Sequence, residues 1–337
     1  MDLNTAWFIL VGFFLAGYAV LDGFDLGAGV LHVFHREERD RRAALAAVGP
    51  VWDANEVWLL AAGAFLFAAF PPVYAAVFSG FYLPLVLLLF ALISRAVSQE
   101  FRGKVDDPRW RQAWDGAFFA GSLLPPVLLG TAFGNVLRGL PVTAEGTFRV
   151  SLGEILNPYS VLVGLVTLTG FATHGALYLA MKAQGEFRGR LSRWALRGWS
   201  AWSALYLVAA IATGFAAPDL FRGRMGNPLF WILLGLISYH LTRLPAALRR
   251  GRFREAFLHS SGVIVLTIGL AAYGLYPRLV PSTRDPAHSL TVYNASSSPG
   301  ALRAMLVFAA VGVPLVLAAT AWLYRIFRGK AAGEEGY

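Results

Sequence analysis

An all-α fold that crosses a membrane many times is predicted by three observations. Of the 337 residues, 57% are hydrophobic and only 15% are charged, with a mean hydropathy of +0.56, too apolar for a soluble domain that must solvate its own surface. Leu, Phe, Ala, Val and Gly dominate stretches of about 20 residues, the length a helix needs to cross a hydrocarbon core of roughly 30 Å. No long alternating strand pattern competes with them, which argues against a β-barrel.

Nine apolar segments meet that length: Trp7–Leu31, Trp52–Phe70, Val73–Ala96, Ala117–Leu137, Ser160–Ala180, Trp199–Phe215, Leu229–Leu244, Phe257–Leu275 and Leu302–Phe327. The first follows Met1-Asp2-Leu3-Asn4 without a basic n-region or an Ala-x-Ala cleavage site, so it is expected to stay as a span. The second opens on Trp52-Asp53-Ala54-Asn55-Glu56-Val57-Trp58, two acids beside an apolar run. Pro84, Pro125, Pro126 and Pro314 fall inside spans, where neighbouring helices can satisfy the carbonyls that proline frees. The longest connections run only about twenty residues, which leaves no room for a soluble domain, and the tail Ala331–Tyr337 is expected to be mobile.

Most of the 29 basic residues lie in alternate connections: around Arg36–Arg42, Arg95–Arg111, Lys182–Arg197, Arg243–Arg254 and Arg325–Lys330. By the positive-inside rule the N-terminus is outside and the C-terminus cytoplasmic, which requires an odd number of spans. The formal charge of +9 therefore reports orientation, not a nucleic-acid site. There is no cysteine, which excludes a disulfide framework, a thiolate nucleophile and a Cys-ligated metal or iron–sulfur cluster.

With this orientation Asp22 and Asp25 lie in the cytoplasmic half of the first span, about 22 Å from Trp7 at 1.5 Å per residue. Asp53 and Glu56, at i and i+3, share a face of the second span's first turn, and Asp115 begins the fourth. These carboxylates gather at one depth, and two readings stand. They are helix caps and ion-pair partners of the cytoplasmic arginines, or they conduct protons or another cation. Asp22 and Asp25 favour the second, because the C-terminal half of a helix repels anions.

Gly23, Gly27 and Gly29 surround those aspartates and read as a close helix contact. Of six histidines, His32, His35, His259 and His288 are expected at the interface, while His174 and His240 lie in spans. Either of the latter is a candidate haem or metal ligand, but a lone histidine on an apolar face is more often a satisfied core residue. No His pair stands at i, i+4 within a span, so no haem and no metal is expected to be held by this chain. Trp58, one turn beyond the acids, reads as shielding and core or, less simply, as a channel wall.

Several motifs occur together: Leu21-Asp22-Gly23-Phe24-Asp25-Leu26-Gly27, the Trp52–Trp58 run, Phe78-Ser79-Gly80-Phe81-Tyr82, Glu100-Phe101-Arg102, Gly134-Asn135, His174-Gly175-Ala176-Leu177-Tyr178-Leu179, Tyr276-Pro277, and Ser289-Leu290-Thr291-Val292-Tyr293-Asn294-Ala295-Ser296-Ser297-Ser298. Their ordered set, extending over nearly the whole chain, resembles subunit II of the cytochrome bd-type quinol oxidases, with Ala54 where the commoner motif has Gly. The resemblance implies a bacterial cytoplasmic-membrane complex that oxidises quinol and reduces dioxygen to water. It implies pairing with subunit I, which would carry two b haems and one d haem, and a small third subunit is a further candidate partner. It also implies nine spans in one membrane domain: two four-helix bundles, at residues 1–140 and 158–276, and a peripheral ninth helix at 302–327. Carried over residue by residue, it puts Asp53 on a cytoplasmic proton path, Trp58 beside a dioxygen route, and Asp22, Asp25 and Glu56 near the subunit interface. Quinone, held as a structural lipid in some members, is a candidate ligand. The residues alone also admit a proton-coupled membrane carrier built on Asp22, Asp25, Asp53 and Glu56.

Overall fold

A computed structural model describes residues 2–329; Lys330 and the tail Ala331–Tyr337, with its expected mobility, lie outside the described residues. The order of elements is α1 (Leu3–His32), α2 (Glu38–Val48), α3 (Trp52–Ala69), α4 (Pro71–Gly80), α5 (Tyr82–Phe101), α6 (Pro108–Arg138), α7 (Leu152–Ile155), α8 (Pro158–Lys182), α9 (Gly185–Ala216), α10 (Pro228–Arg249), α11 (Phe253–Leu275), β1 (Arg278–Val280), β2 (Leu290–Thr291) and α12 (Pro299–Ile326). Helix starts follow a repeated local rule. Asp107-Pro108, Asn157-Pro158, Asn227-Pro228 and Ser298-Pro299 each pair a capping side chain with a proline in the first turn. The cap accepts from an otherwise orphaned amide, and the proline has no amide to orphan. At the other end of α6, Gly139 adopts φ +94°, a conformation that only glycine takes cheaply, and the helix stops.

Eight of the helices among the described residues are long and apolar enough to cross a membrane: α1, α5, α6 and α8 to α12. A ninth arises if α2 and α3, bent by 48° at their break, are taken as one span. All nine segments read from the sequence fall on helices, with local differences. The segment Val73–Ala96 is two helices, α4 and α5, interrupted at Phe81. Arg36–Arg42, read as connection, leads into α2, and the Lys182–Arg197 cluster lies largely on α9, which starts fourteen residues before Trp199. Periodicity of apolar residues cannot see such polar extensions, because they leave the hydrocarbon while their backbone stays hydrogen-bonded.

α1 is the central element, packed against α3, α6, α8 and α11; α8 in turn meets α6, α9 and α11. The α1–α8 crossing is backbone on backbone. A Cβ on Gly27 would collide with the Phe171 carbonyl and come within 3.0 Å of the Gly175 nitrogen. Small residues permit this approach, which answers why glycines flank the α1 aspartates. Outside the helices, β1 and β2 pair antiparallel, Arg278 opposite Thr291. The loop after β2 then closes over α3: the Ser297 amide and hydroxyl donate to the Ala69 and Ala68 carbonyls at 2.9 and 2.7 Å. Two carbonyls that the end of α3 would leave unpaired are thereby satisfied. α12 then runs back along α1 with most of its middle exposed.

Candidate functional site

The acids of α1 and α3 meet a base contributed by α5. Arg95 is fully buried, and its guanidinium donates to Asp22 Oδ1 at 2.6 Å and to Glu56 Oε2 at 3.2 Å, with Trp52 stacked 5.9 Å away. Arg95, expected from the sequence in a basic connection, is instead a core residue of α5. A signal was available, since Arg95 stands between Ile93 and Val97 in an unbroken helical period, and burial of an arginine demands a carboxylate partner. Asp25, one turn beyond Asp22, takes a 2.6 Å hydrogen bond from Asn55 Nδ2, which also donates to the Leu21 carbonyl at 3.2 Å. Two carboxylates thus share one guanidinium, and the third is held by an amide.

Several polar atoms in this region are buried without a protein partner: Asp22 Oδ2, Asp25 Oδ1, Arg95 Nε, the Tyr18 hydroxyl and Trp58 Nε1. Buried polar groups are normally paired, and where protein does not pair them ordered water does. Burial along the acids is graded. Asp53 is exposed and makes no hydrogen bond or ion pair among the described residues; Glu56 is half-buried; Asp22 and Asp25 are buried. Asp53 heads an exposed stripe of α3 formed with Val57, Leu60, Ala64 and Phe67, at alternating steps of four and three residues.

Asp115 belongs to a different cluster, so the five carboxylates divide. Its oxygens accept from His32 Nε2 at 2.5 Å, Arg41 Nη1 at 2.9 Å and Arg102 Nε at 2.6 Å, and Arg102 reaches on to Glu38 at 2.8 Å. This network ties α1, α2, α5 and α6 together, which is the ion-pair reading of Asp115. His32 and His35 were expected at the interface; both are buried instead, as is His259. The physical reason is neighbours: His32 is held by Asp115, and the ring of His35 stacks on Trp194 at 5.3 Å. Burial, with the nearby His32, Arg41 and Arg190 charges, pushes His35 down to about 3.

The remaining histidines test whether this chain suits a haem. His174 spends both ring nitrogens, on the Ser260 hydroxyl at 2.7 Å and the Val20 carbonyl at 3.0 Å, the satisfied core arrangement. His240 and His259 face each other, Nδ1 to Nδ1, at 3.0 Å. No three His, Asp or Glu side chains converge as a metal-ion site among the described residues. A long apolar cleft of about 880 Å³ lies between the α1, α5 and α6 side and the α8 to α11 side. Tyr18 lines it, its hydroxyl unpaired. Trp58 is packed beneath, 5.1 Å from Phe14 and against Gly17, where a Cβ would strike its ring.

Comparison with known proteins gives concordant matches. A sequence profile described as cytochrome bd terminal oxidase subunit II matches residues 3–327. The chain is 36% identical over 369 aligned positions to cytochrome bd-I ubiquinol oxidase subunit 2 of Escherichia coli (strain K12), covering 99% of this chain and 96% of that one. It is 36% identical over 338 positions to cytochrome bd ubiquinol oxidase subunit 2 of Bacillus subtilis (strain 168), covering 99% and 98%. A chain in the structure of bd oxidase from Geobacillus thermodenitrificans shares the fold, with a TM-score of 0.79 at 20% identity, covering 97% of this chain and 99% of that one.

Proposed function

Because the chain belongs to the cytochrome bd terminal oxidase subunit II family, and so is a multi-pass membrane subunit of a bacterial quinol oxidase, we propose that it supplies cytoplasmic protons to a haem-bearing subunit I. One observation carries this reading: Asp22 and Glu56 share the single guanidinium of Arg95, and Asp25, one turn from Asp22, is met by the Asn55 amide and by no cation of its own. Three acids against one base is an imbalance that a region of low dielectric relieves by holding protons. Asp53 receives the proton from the cytoplasm; Glu56 lies one turn deeper on the same helix; Asp22 and Asp25 stand at the buried end. Waters on the unpaired oxygens join them. The α3 stripe headed by Asp53 faces the partner, since an exposed carboxylate in line with Val57 and Leu60 suits protein or water better than lipid.

The haems supply oxygen reduction in subunit I, and no step of that chemistry is assigned to residues of this chain. In this reading the chain has nine spans, α2 with α3 counting as one, with the N-terminus outside, two four-helix bundles and α12 peripheral. Trp58 borders a dioxygen route along the apolar cleft. The same cleft suits a quinone held as a structural lipid.

The test is Asp53→Asn in the purified two-subunit complex. Oxygen consumption with quinol and proton uptake are expected to slow by about tenfold or more, the scale of losing a proton relay, with haem content and optical spectrum unchanged. Loss of all haem would instead make Asp53 a structural residue of α3.

A further inference from the structure

The carboxylate cluster has one contributor outside α1, α3 and α5. Near its cytoplasmic end, α12 turns a single phenol inward, and the Tyr324 hydroxyl donates to Asn55 Oδ1 at 2.9 Å. The rest of the amide is committed as well, Nδ2 donating to Asp25 Oδ2 and to the Leu21 carbonyl. Asn55 is fully buried, so these partners are its whole environment. We propose that Tyr324 is a positioning residue for proton transfer: by donating to Asn55 it holds the amide in the one orientation that presents N–H to Asp25. This rests on the proton-route reading above and extends it to α12.

Hydrogen-bond direction constrains the amide. The Leu21 carbonyl accepts only, and so does an ionised carboxylate. With both filled by the amide nitrogen, the amide oxygen must find a donor, and Tyr324 is the one that the described residues provide. Were the amide to turn over, its oxygen would face the Asp25 carboxyl, and that carboxyl would have to supply the proton of the hydrogen bond. A turned amide therefore traps a proton at Asp25, while the orientation seen allows the proton to pass. The Leu21 carbonyl, which accepts only, disfavours the turned amide, and the hydrogen bond donated by the phenol to Asn55 Oδ1 reinforces the orientation seen. Among the described residues nothing else ties α12 to the cluster by a hydrogen bond, for its middle is mostly exposed and its contacts run chiefly along α1. The ring is seated independently, at 6.4 Å from Phe24, so removing the hydroxyl alone leaves the helix in place.

The experiment compares Tyr324→Phe, Asp25→Asn and the double variant in the purified two-subunit oxidase. It reads quinol-driven oxygen consumption, the solvent deuterium isotope effect on it, haem content and the optical spectrum. Y324F is expected to lower turnover by about fivefold, the worth of one hydrogen bond, and to enlarge the isotope effect, with haem and spectrum native. The double variant should be no slower than D25N. Native turnover and isotope effect in Y324F, with D25N slow, would overturn the role of Tyr324 alone. Native turnover in D25N would overturn the proton route itself. Loss of haem in Y324F would make the hydroxyl a structural tether and would equally overturn the proposal.

Discussion

Replacing Arg95 by methionine keeps an unbranched side chain of similar length but deletes the one base that serves Asp22 and Glu56. Both Arg95 and Asp22 are without solvent exposure, whereas the Glu56 side chain is 20% exposed and can turn toward water. The cost therefore comes mainly from Asp22. Removing one member of a buried ion pair costs about 3–5 kcal/mol, because the remaining charge is stranded. Relaxation of Glu56 puts the expectation toward the lower part of that range. Restoring neutrality should restore stability, so Asp22→Asn combined with Arg95→Met should be more stable than Arg95→Met alone, although it has lost another charge. Denaturation of the detergent-solubilised complex, followed by haem absorbance and tryptophan fluorescence, measures both. A loss under about 1 kcal/mol for R95M, the range of exposed pairs, would mean that the cluster is bathed in water. A double variant no better than the single one would refute the argument from stranded charge.

Two further outcomes follow from contacts elsewhere. Gly27→Ala should destabilise by about 1–3 kcal/mol or more, since the added methyl meets backbone of α8 that cannot rotate away, while Gly12→Ala, with nothing within 4 Å, serves as the neutral control in the same melting assay. For His35, the folded state holds off protonation to about 3, against an ordinary value of 6.5, so the unfolded chain takes up the proton first as the pH falls. Stability is complete above pH 6.5 and declines below it, by about 2 kcal/mol at pH 5 at 1.36 kcal/mol per unit. His35→Phe keeps the stack on Trp194 and should flatten the melting temperature between pH 7.5 and 5; an unchanged slope would assign the acid sensitivity to other groups.

Spans were legible because burial in lipid writes itself as length and hydrophobicity, and the nine segments each fall on helix. Interruptions were harder to read: Phe81 separates α4 from α5 between Gly80 and Pro84, residues that a membrane span also tolerates, and α2 is a helix whose polar residues resemble a loop. At the site, acids in apolar surroundings announced themselves, and Asp22, Asp25 and Glu56 do meet. Their partners were silent. Arg95 was masked by a rule that assigns arginines to loops, and Tyr324 lies far along the chain from Asn55, where no local period connects them. Asp115 looked like a fifth member by depth, yet depth fixes one coordinate of three, and the angular position of α6 gives it to Arg41, Arg102 and His32.

The division of acids between two clusters bears on function. Around Asp115 the donors outnumber the carboxylates: Arg41, Arg102 and His32 converge on it, and Glu38 takes the surplus of Arg102. Such a site gains nothing by binding a proton, because every oxygen already accepts from a cation; it is suited to fastening α1, α2, α5 and α6. Around Arg95 the balance is reversed, with Asp22 Oδ2 and Asp25 Oδ1 left without protein donors. A proton arriving there finds an acceptor and neutralises an excess that low dielectric makes costly. In the function proposed, structural ion pairing and proton handling, which the sequence offers as rival readings of one group of acids, fall to different members of it, according to the ratio of acids to bases in each cluster.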